Sequence, residues 1–279
     1  MITCNLKGGL GNQMFEIFTT IAYALSNKDI FFFKNTPSLN NGVTKRYTYW
    51  HNFFIAMKGF LSNQFINMDI VREKSFTYEK IPDKIIMTQN IILDGYFQSP
   101  KYFEEHYEKI YHLLRMDDLK KKVTQKYNYN YKDFISLHFR LGDFKVLQDK
   151  HPIMPVEYYK NSIQLLLKKI KPKQVIKILY FCEQQDNEDV NKIVALLSDQ
   201  FTNCAFIKVN DQIPDWEQLL MMSSCGHNII ANSTFSWWGA YLNSSLTKTV
   251  CYPETWFGPK LPHDTCDLFP ETWIKVRCV

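Results

Sequence analysis

Two α/β domains are what the sequence predicts, and three observations predict them. Strand-like and helix-like patterns alternate regularly through the second half of the chain. The N-terminus reads as strand, glycine-rich turn, helix and strand. The length, 279 residues, is close to two domains at roughly 150 residues each. A chain of this size buries about three quarters of its unfolded surface and needs no disulfide or metal to stay folded.

The elements follow in order. Ile2–Asn5 has the pattern of a short strand, and Met14–Leu25 that of an apolar-periodic helix behind the glycines. Ile30–Phe33 reads as a buried strand. From Thr36 to about Lys84 the sequence is aromatic-rich with no clear period, and Asn90–Tyr96 is a strand. A helix is expected from Pro100 to about Leu114, then an aperiodic Lys/Asn/Tyr-rich boundary across Lys120–Lys132. This places a first domain at 1–130 and a second at 131–279. In the second domain Phe134–Phe139 alternates as a strand. Pro155–Ile170 is a helix with Tyr159, Ile163, Leu166 and Leu167 on its apolar face. Ile176–Cys182, Ala205–Val209, Asn228–Ala231 and Thr249–Tyr252 follow as strands. Helices at Asp189–Leu197, Asp215–Ser224 and Phe235–Asn243 lie between them, a pattern that builds a parallel sheet covered on both faces.

Composition excludes several classes. Hydrophobic residues make up 46% and charged residues 22%, which is globular rather than disordered. The net charge of +5 suits an anionic ligand. The basic residues form no stripe of the kind that tracks nucleic acid. Lys120-Lys121-Lys122, after Asp117-Asp118, reads as a solvated helix face. No apolar run reaches the roughly 18 residues of a membrane span, and MITCNLKGG has no signal-peptide pattern. Seven cysteines without C-x-x-C or zinc spacing point to a reduced, cytoplasmic protein with mostly buried thiols.

Three segments carry chemistry. In Gly8-Gly9-Leu10-Gly11-Asn12-Gln13 the glycines let backbone approach a ligand, and the helix mouth offers N–H groups to an anion. The same glycines also suit a simple tight turn, although such a turn does not ask for the amides of Asn12 and Gln13. In His138-Phe139-Arg140-Leu141-Gly142-Asp143, His138 and Arg140 lie two apart at the carboxyl end of a strand. Ligands of open α/β sheets bind at that edge. Arginine offers a planar fork that grips phosphate bidentately. A surface arginine beside a core histidine fits the same spacing. In Asn232-Ser233-Thr234-Phe235-Ser236 a strand runs into small hydroxyl residues at a helix start, which suits a phosphate cradle as well as a helix cap. Trp237-Trp238 read as core. Two such sites on different domains imply a cleft that grips a diphosphate. The chain has no D-x-D triplet, and Asp186–Glu188 and Asp215–Glu217 read as helix starts. No metal is therefore expected, with Arg140 in the cation's place.

Together GGLGNQMF, H-x-R-x-G-D-F and HNIIANSTFSWWGAYLN resemble the α-1,2-fucosyltransferases of glycosyltransferase family eleven, in order and over almost the whole chain. The resemblance implies a GT-B-like arrangement of two Rossmann-like domains facing a cleft. It also implies GDP-fucose as donor, inversion at the anomeric carbon, no metal or other cofactor, and a galactose-terminated acceptor glycan. Carried over by position, Arg140 matches the arginine that holds the donor β-phosphate, and His138 the motif histidine beside it. Gly9, Gly11, Asn12 and Gln13 match the donor-facing turn, and Asn232, Ser233, Thr234, Phe235 and Ser236 match the segment lining the diphosphate. Glu183, at another strand end of the donor domain, is also expected to be donor-binding. Asp143 is the candidate general base, with Glu183 in reserve. Asp143 also suits a loop-fixing role.

The sequence departs from the family at Leu141, where a second arginine is common. It departs again at Phe181-Cys182-Glu183-Gln184, where F-S-D-D is common, and at Gln218, where an Asp often stands. Another GDP-deoxyhexose donor, or a non-catalytic nucleotide- or glycan-binding descendant, are the alternatives. A nicotinamide dehydrogenase is disfavoured by the lack of G-x-G-x-x-G with a downstream acid. Tyr47, Tyr49, Trp50 and Phe53 suit either an acceptor-stacking surface or the core.

Overall fold

The structure, a computed structural model, describes residues 1–39, 45–65, 67–84, 89–170 and 174–279. The chain divides into two compact units, Met1–Leu119 with His263–Pro270, and Lys120–Pro262 with Glu271–Val279. Among the described residues no helix is long and apolar enough to cross a membrane.

The first unit opens with β1 (Ile2–Cys4) and α1 (Leu10–Ser26). Four two-residue strands follow, β2 (Phe33–Lys34), β3 (Ser38–Leu39), β4 (Arg46–Tyr47) and β5 (Leu61–Ser62). Then come β6 (Met68–Arg72), β7 (Asn90–Asp94) and α2 (Tyr107–Leu113). A parallel sheet runs in the order β1-β7-β6, with Ile2 opposite Ile91. Gly8 sits in the left-handed region at φ +67°, and a Cβ there would strike the Asn12 side chain. Glycine is therefore required for the chain to turn from β1 into α1. That helix is buried on nearly every side, so it is a core helix rather than a surface amphipath.

Two expectations for this unit are corrected. Ile30–Phe33 is not a continuous strand, because Ile30 is exposed, Phe31 makes a single bridge to Ile2, and only Phe33–Lys34 pairs with β5. The helix expected from Pro100 is broken into two short 3₁₀ turns ahead of α2. Packing explains the break. Phe103 turns inward against Phe15 and Phe18, at ring separations of 6.1 and 5.4 Å, and leaves the helical path. Trp50 and Phe53 are core residues, whereas Tyr47 is exposed.

Helix α3 (Met116–Tyr127) occupies most of the segment expected to be an aperiodic boundary, and the division between the units falls inside it. Met116, Leu119 and Val123 form its buried stripe, while Asp117, Asp118, Lys121 and Lys122 face water. The two charge blocks mask that stripe in the sequence.

The second unit contains β8 (Phe134–His138), α4 (Val156–Ile170), β9 (Ile176–Phe181), α5 (Asn187–Gln200) and β10 (Cys204–Lys208). It continues with α6 (Asp215–Met222), β11 (His227–Ile229), α7 (Thr234–Tyr241), β12 (Val250–Pro253) and β13 (Ile274–Val276). The six strands pair in parallel in the order β10-β9-β8-β11-β12-β13. Counted from β8 this is 3-2-1-4-5-6, the doubly wound order, and the order reverses between β8 and β11. The three-residue β13 is too short for its pattern to be seen in sequence. A buried amide network fixes the reversal point. Asn228 Nδ2 donates to Ser136 Oγ and Met222 O at 2.7 and 2.9 Å, and Asn243 Nδ2 donates to Asn228 Oδ1 at 2.8 Å. These bonds hold β11 in register with β8 from both ends of the segment that carries α7.

Candidate functional site

Ligands of doubly wound sheets bind beyond the carboxyl ends of the strands where the order reverses. In the second unit that point lies between the exits of β8 and β11. The β8 exit carries His138 and Arg140, and the β11 exit leads through Asn232 and Ser233 into α7. The two exits meet, since the His138 and Phe235 rings are 5.6 Å apart.

Arg140 is held on three sides. Its Nη2 pairs with Asp143 and its Nη1 with Glu183, which follows β9. The face of the guanidinium lies 5.0 Å from the Phe144 ring centroid, a cation–π contact. Phe144 in turn stacks on His151 at 4.9 Å. The loop has its own anchor, because Gly142 N–H donates to the buried Asp186 carboxylate at 2.7 Å, and Lys145 closes on the same group at 2.9 Å. Gly142 adopts φ +41°, and a Cβ there would come within 3.0 Å of a Glu183 oxygen. Glycine is thus needed both for the turn and for the room under Glu183.

His138 is almost wholly buried, and its Nδ1 has no hydrogen-bond partner. Burial, helped by the positive charge of Arg140, lowers its pKa to about 3. The ring is therefore neutral, not a cation, at neutral pH.

Around the mouth of α7 the predicted residues divide into two sets. Ser233, Thr234 and Phe235 are partly open to solvent. Ser233 occupies the N-cap in extended conformation without a side-chain cap bond, and the first turn of any helix presents N–H groups outward. Asn232 and Ser236 are buried. Asn232 Nδ2 donates to Pro152 O and Trp256 O at 2.9 and 3.1 Å, clamping two loops, while its Oδ1 is buried without a partner. Ser236 Oγ donates back to Ser233 O at 3.3 Å. Trp237 and Trp238 are core. Leu141, at the position of the family's frequent second arginine, packs into the core of the sheet.

In the first unit Gln13 is fully buried, and its Nε2 donates to Gly8 O at 3.0 Å and to Tyr47 O at 2.9 Å. It locks the glycine turn. Asn12 Oδ1 accepts from Gln98 at 3.2 Å. Gly9 is the N-cap of α1 with open space where a Cβ would stand, and Gly11 lies in the buried first turn. Sequence reasoning missed Glu16, a fully buried carboxyl three residues on. Burial raises its pKa well above the usual range, although Lys7 N–H donates to it at 2.9 Å. It also missed the pairing of Glu183 with Arg140, which joins residues 43 apart, and the Phe144 stack. Aromatic residues close behind a strand-end arginine were the available signal for the latter.

Glu183, Gln184 and Gln185 line a depression of about 330 Å³ beside Arg140. A larger cavity of about 580 Å³ lies at the opposite edge, where β8, β9 and β11 begin. Chemistry at the switch point favours the smaller one.

Comparison with known proteins agrees with the family resemblance. The sequence profile described as glycosyl transferase family 11 matches residues 1–277. The chain is 25% identical to an alpha-1,2-colitosyltransferase of Escherichia coli, over 99% of each chain. It is equally identical to the O-antigen biosynthesis glycosyltransferase WbnK of Escherichia coli, over 99% of this chain and 100% of that one. Among solved structures it is similar to a mutant of Arabidopsis thaliana FUT1 in complex with GDP, with a TM-score of 0.48 and 11% identity over 88% of this chain and 68% of that one. It is also similar to E. coli ADP-heptose LPS heptosyltransferase II, with a TM-score of 0.36 and 16% identity over 56% of this chain and 42% of that one. On the match of its profile across nearly every residue, the chain belongs to glycosyl transferase family 11 and is a glycosyltransferase.

Proposed function

We propose that the protein transfers L-fucose from GDP-β-L-fucose to the 2-hydroxyl of a galactoside, with inversion and without a metal. The observation that carries the reading is the position of Arg140 at the switch point, beside the mouth of α7. In the proposed reaction the acceptor oxygen attacks C1 of fucose while the bond from C1 to the β-phosphate oxygen breaks. The electron pair leaves with GDP, and an oxocarbenium-like sugar forms between. Arg140 and the N–H groups of α7 take up the charge developing on the phosphate. His138, neutral and buried, lines the same edge as a hydrogen-bonding group. Asp143 is the proposed base that receives the acceptor proton. Asp143 lies three residues past Arg140 on the same loop and is paired with it. The absence of a D-x-D triplet supports metal independence.

A second reading keeps the chemistry and changes the sugar, because one relative is named a colitosyltransferase. Turnover of GDP-fucose and other GDP-deoxyhexoses against a panel of galactosides separates the two, with NMR of the product linkage. Transfer from GDP-fucose giving an α-1,2 linkage supports the first reading. Transfer only from another deoxyhexose supports the second, and acceptor-dependent turnover of a UDP-sugar alone removes both.

A further inference from the structure

Both terminal nitrogens of Arg140 are already committed, one to Asp143 and one to Glu183. A phosphate that takes the fork bidentately must displace at least one carboxylate. We propose that Glu183 is a resident competitor for the donor diphosphate. It occupies Arg140 when the site is empty, steps aside for the donor, and returns as the nucleotide leaves. The proposal rests on the reading that Arg140 takes the diphosphate.

Four features single out Glu183 rather than Asp143. Asp143 lies three residues along the same loop and is tied to it by sequence, whereas Glu183 reaches across from the exit of β9. Glu183 is about half exposed, and the 330 Å³ depression it lines gives the side chain somewhere to go. Its second oxygen is held by Gln185 Nε2 at 2.8 Å, from an exposed neighbour that can move with it. And Gly142 keeps the space beneath it clear, since a Cβ there would crowd a Glu183 oxygen. The seat therefore accepts a carboxylate as a stand-in for phosphate. When the donor arrives, a negative side chain left at that place would also repel the diphosphate. Glu183 thus weakens donor binding twice, by occupying the fork and by its charge.

Calorimetric titration of the full chain with inorganic pyrophosphate, GDP and guanosine tests this, using wild type, Glu183→Gln, Arg140→Gln and the double variant. Glu183→Gln removes the charge and keeps the shape of a half-exposed side chain, and unfolding temperatures confirm that each variant is folded. A half-exposed ion pair and one nearby like charge together correspond to roughly a 3- to 20-fold effect. Glu183→Gln is expected to tighten pyrophosphate and GDP by about that factor, to leave guanosine unchanged, and to lose its effect when Arg140 is Gln. Weaker or unchanged GDP binding in Glu183→Gln, with Arg140→Gln still impairing it, overturns the competitor role and makes Glu183 a direct ligand or a bystander. If Arg140→Gln does not weaken pyrophosphate or GDP, the placement of the diphosphate itself fails, and the competitor role fails with it.

Discussion

Replacing Arg140 by Lys separates fork geometry from charge. The native guanidinium presents two terminal nitrogens to two anionic partners at once and lays its face 5.0 Å from Phe144. A lysine keeps one positive charge on a single flexible nitrogen and cannot do either. Losing one well-placed donor to a developing oxyanion costs about 3–4 kcal/mol elsewhere, and losing the aromatic stack adds about 0.5–1 kcal/mol of positioning. Not all of that is felt in the transition state, so Arg140→Lys should lower kcat by about 10²–10³. The contact strengthens as the sugar departs, so KM for the nucleotide sugar should rise by a smaller factor than kcat falls. Steady-state release of GDP from GDP-fucose, measured with a saturating galactoside, reads both constants. A variant with near-normal kcat would show that Arg140 serves as a generic cation, and the bidentate mechanism would be wrong.

Three further outcomes are expected. Asp143→Asn should lower kcat by about 10²–10⁴ without weakening GDP binding, and an unchanged kcat would move the base to Glu183 or leave the reaction without one. Activity should survive excess EDTA, whereas a tenfold loss restored by Mn²⁺ would bring a metal into the mechanism. His138 has a folded pKa near 3 against an ordinary 6.5, so the unfolded chain binds the extra proton between these values. Its contribution is therefore lost as pH falls through that window, by up to roughly 5 kcal/mol. His138→Phe should gain on the wild type in urea unfolding between pH 6.5 and 4.5, and an identical difference at both pH values would contradict the burial argument.

Legibility of the fold tracked the physics of each unit. Strand β9 is buried over its last four residues and reads as a near-continuous apolar run, β8 alternates in sequence, and α4 shows its period plainly. The first unit is built partly from two-residue strands and 3₁₀ turns whose conformation is set by contacts such as Phe103 against Phe18, and no local pattern announces them. The stripe of α3 was hidden by charge blocks on either side of it. In the site, the types and spacing of His138, Arg140 and the Ser233–Ser236 segment were readable. Which way a polar side chain turns was not. Gln13 and Ser236 spend their donors on nearby backbone, and Asn232 spends its amide on two loops. Only tertiary packing decides that choice. The partner of Arg140 was equally hidden, because Glu183 reaches it through the pairing of β8 with β9, not through local sequence.

Whether the donor diphosphate replaces a carboxylate on Arg140 at the switch point between β8 and β11 is tested most directly by a crystal structure of the GDP complex. β-Phosphate oxygens are expected about 2.7–2.9 Å from an Arg140 terminal nitrogen, beside the first turn of α7, with Glu183 turned away. GDP seated elsewhere, with Arg140 still paired to both Glu183 and Asp143, would contradict it.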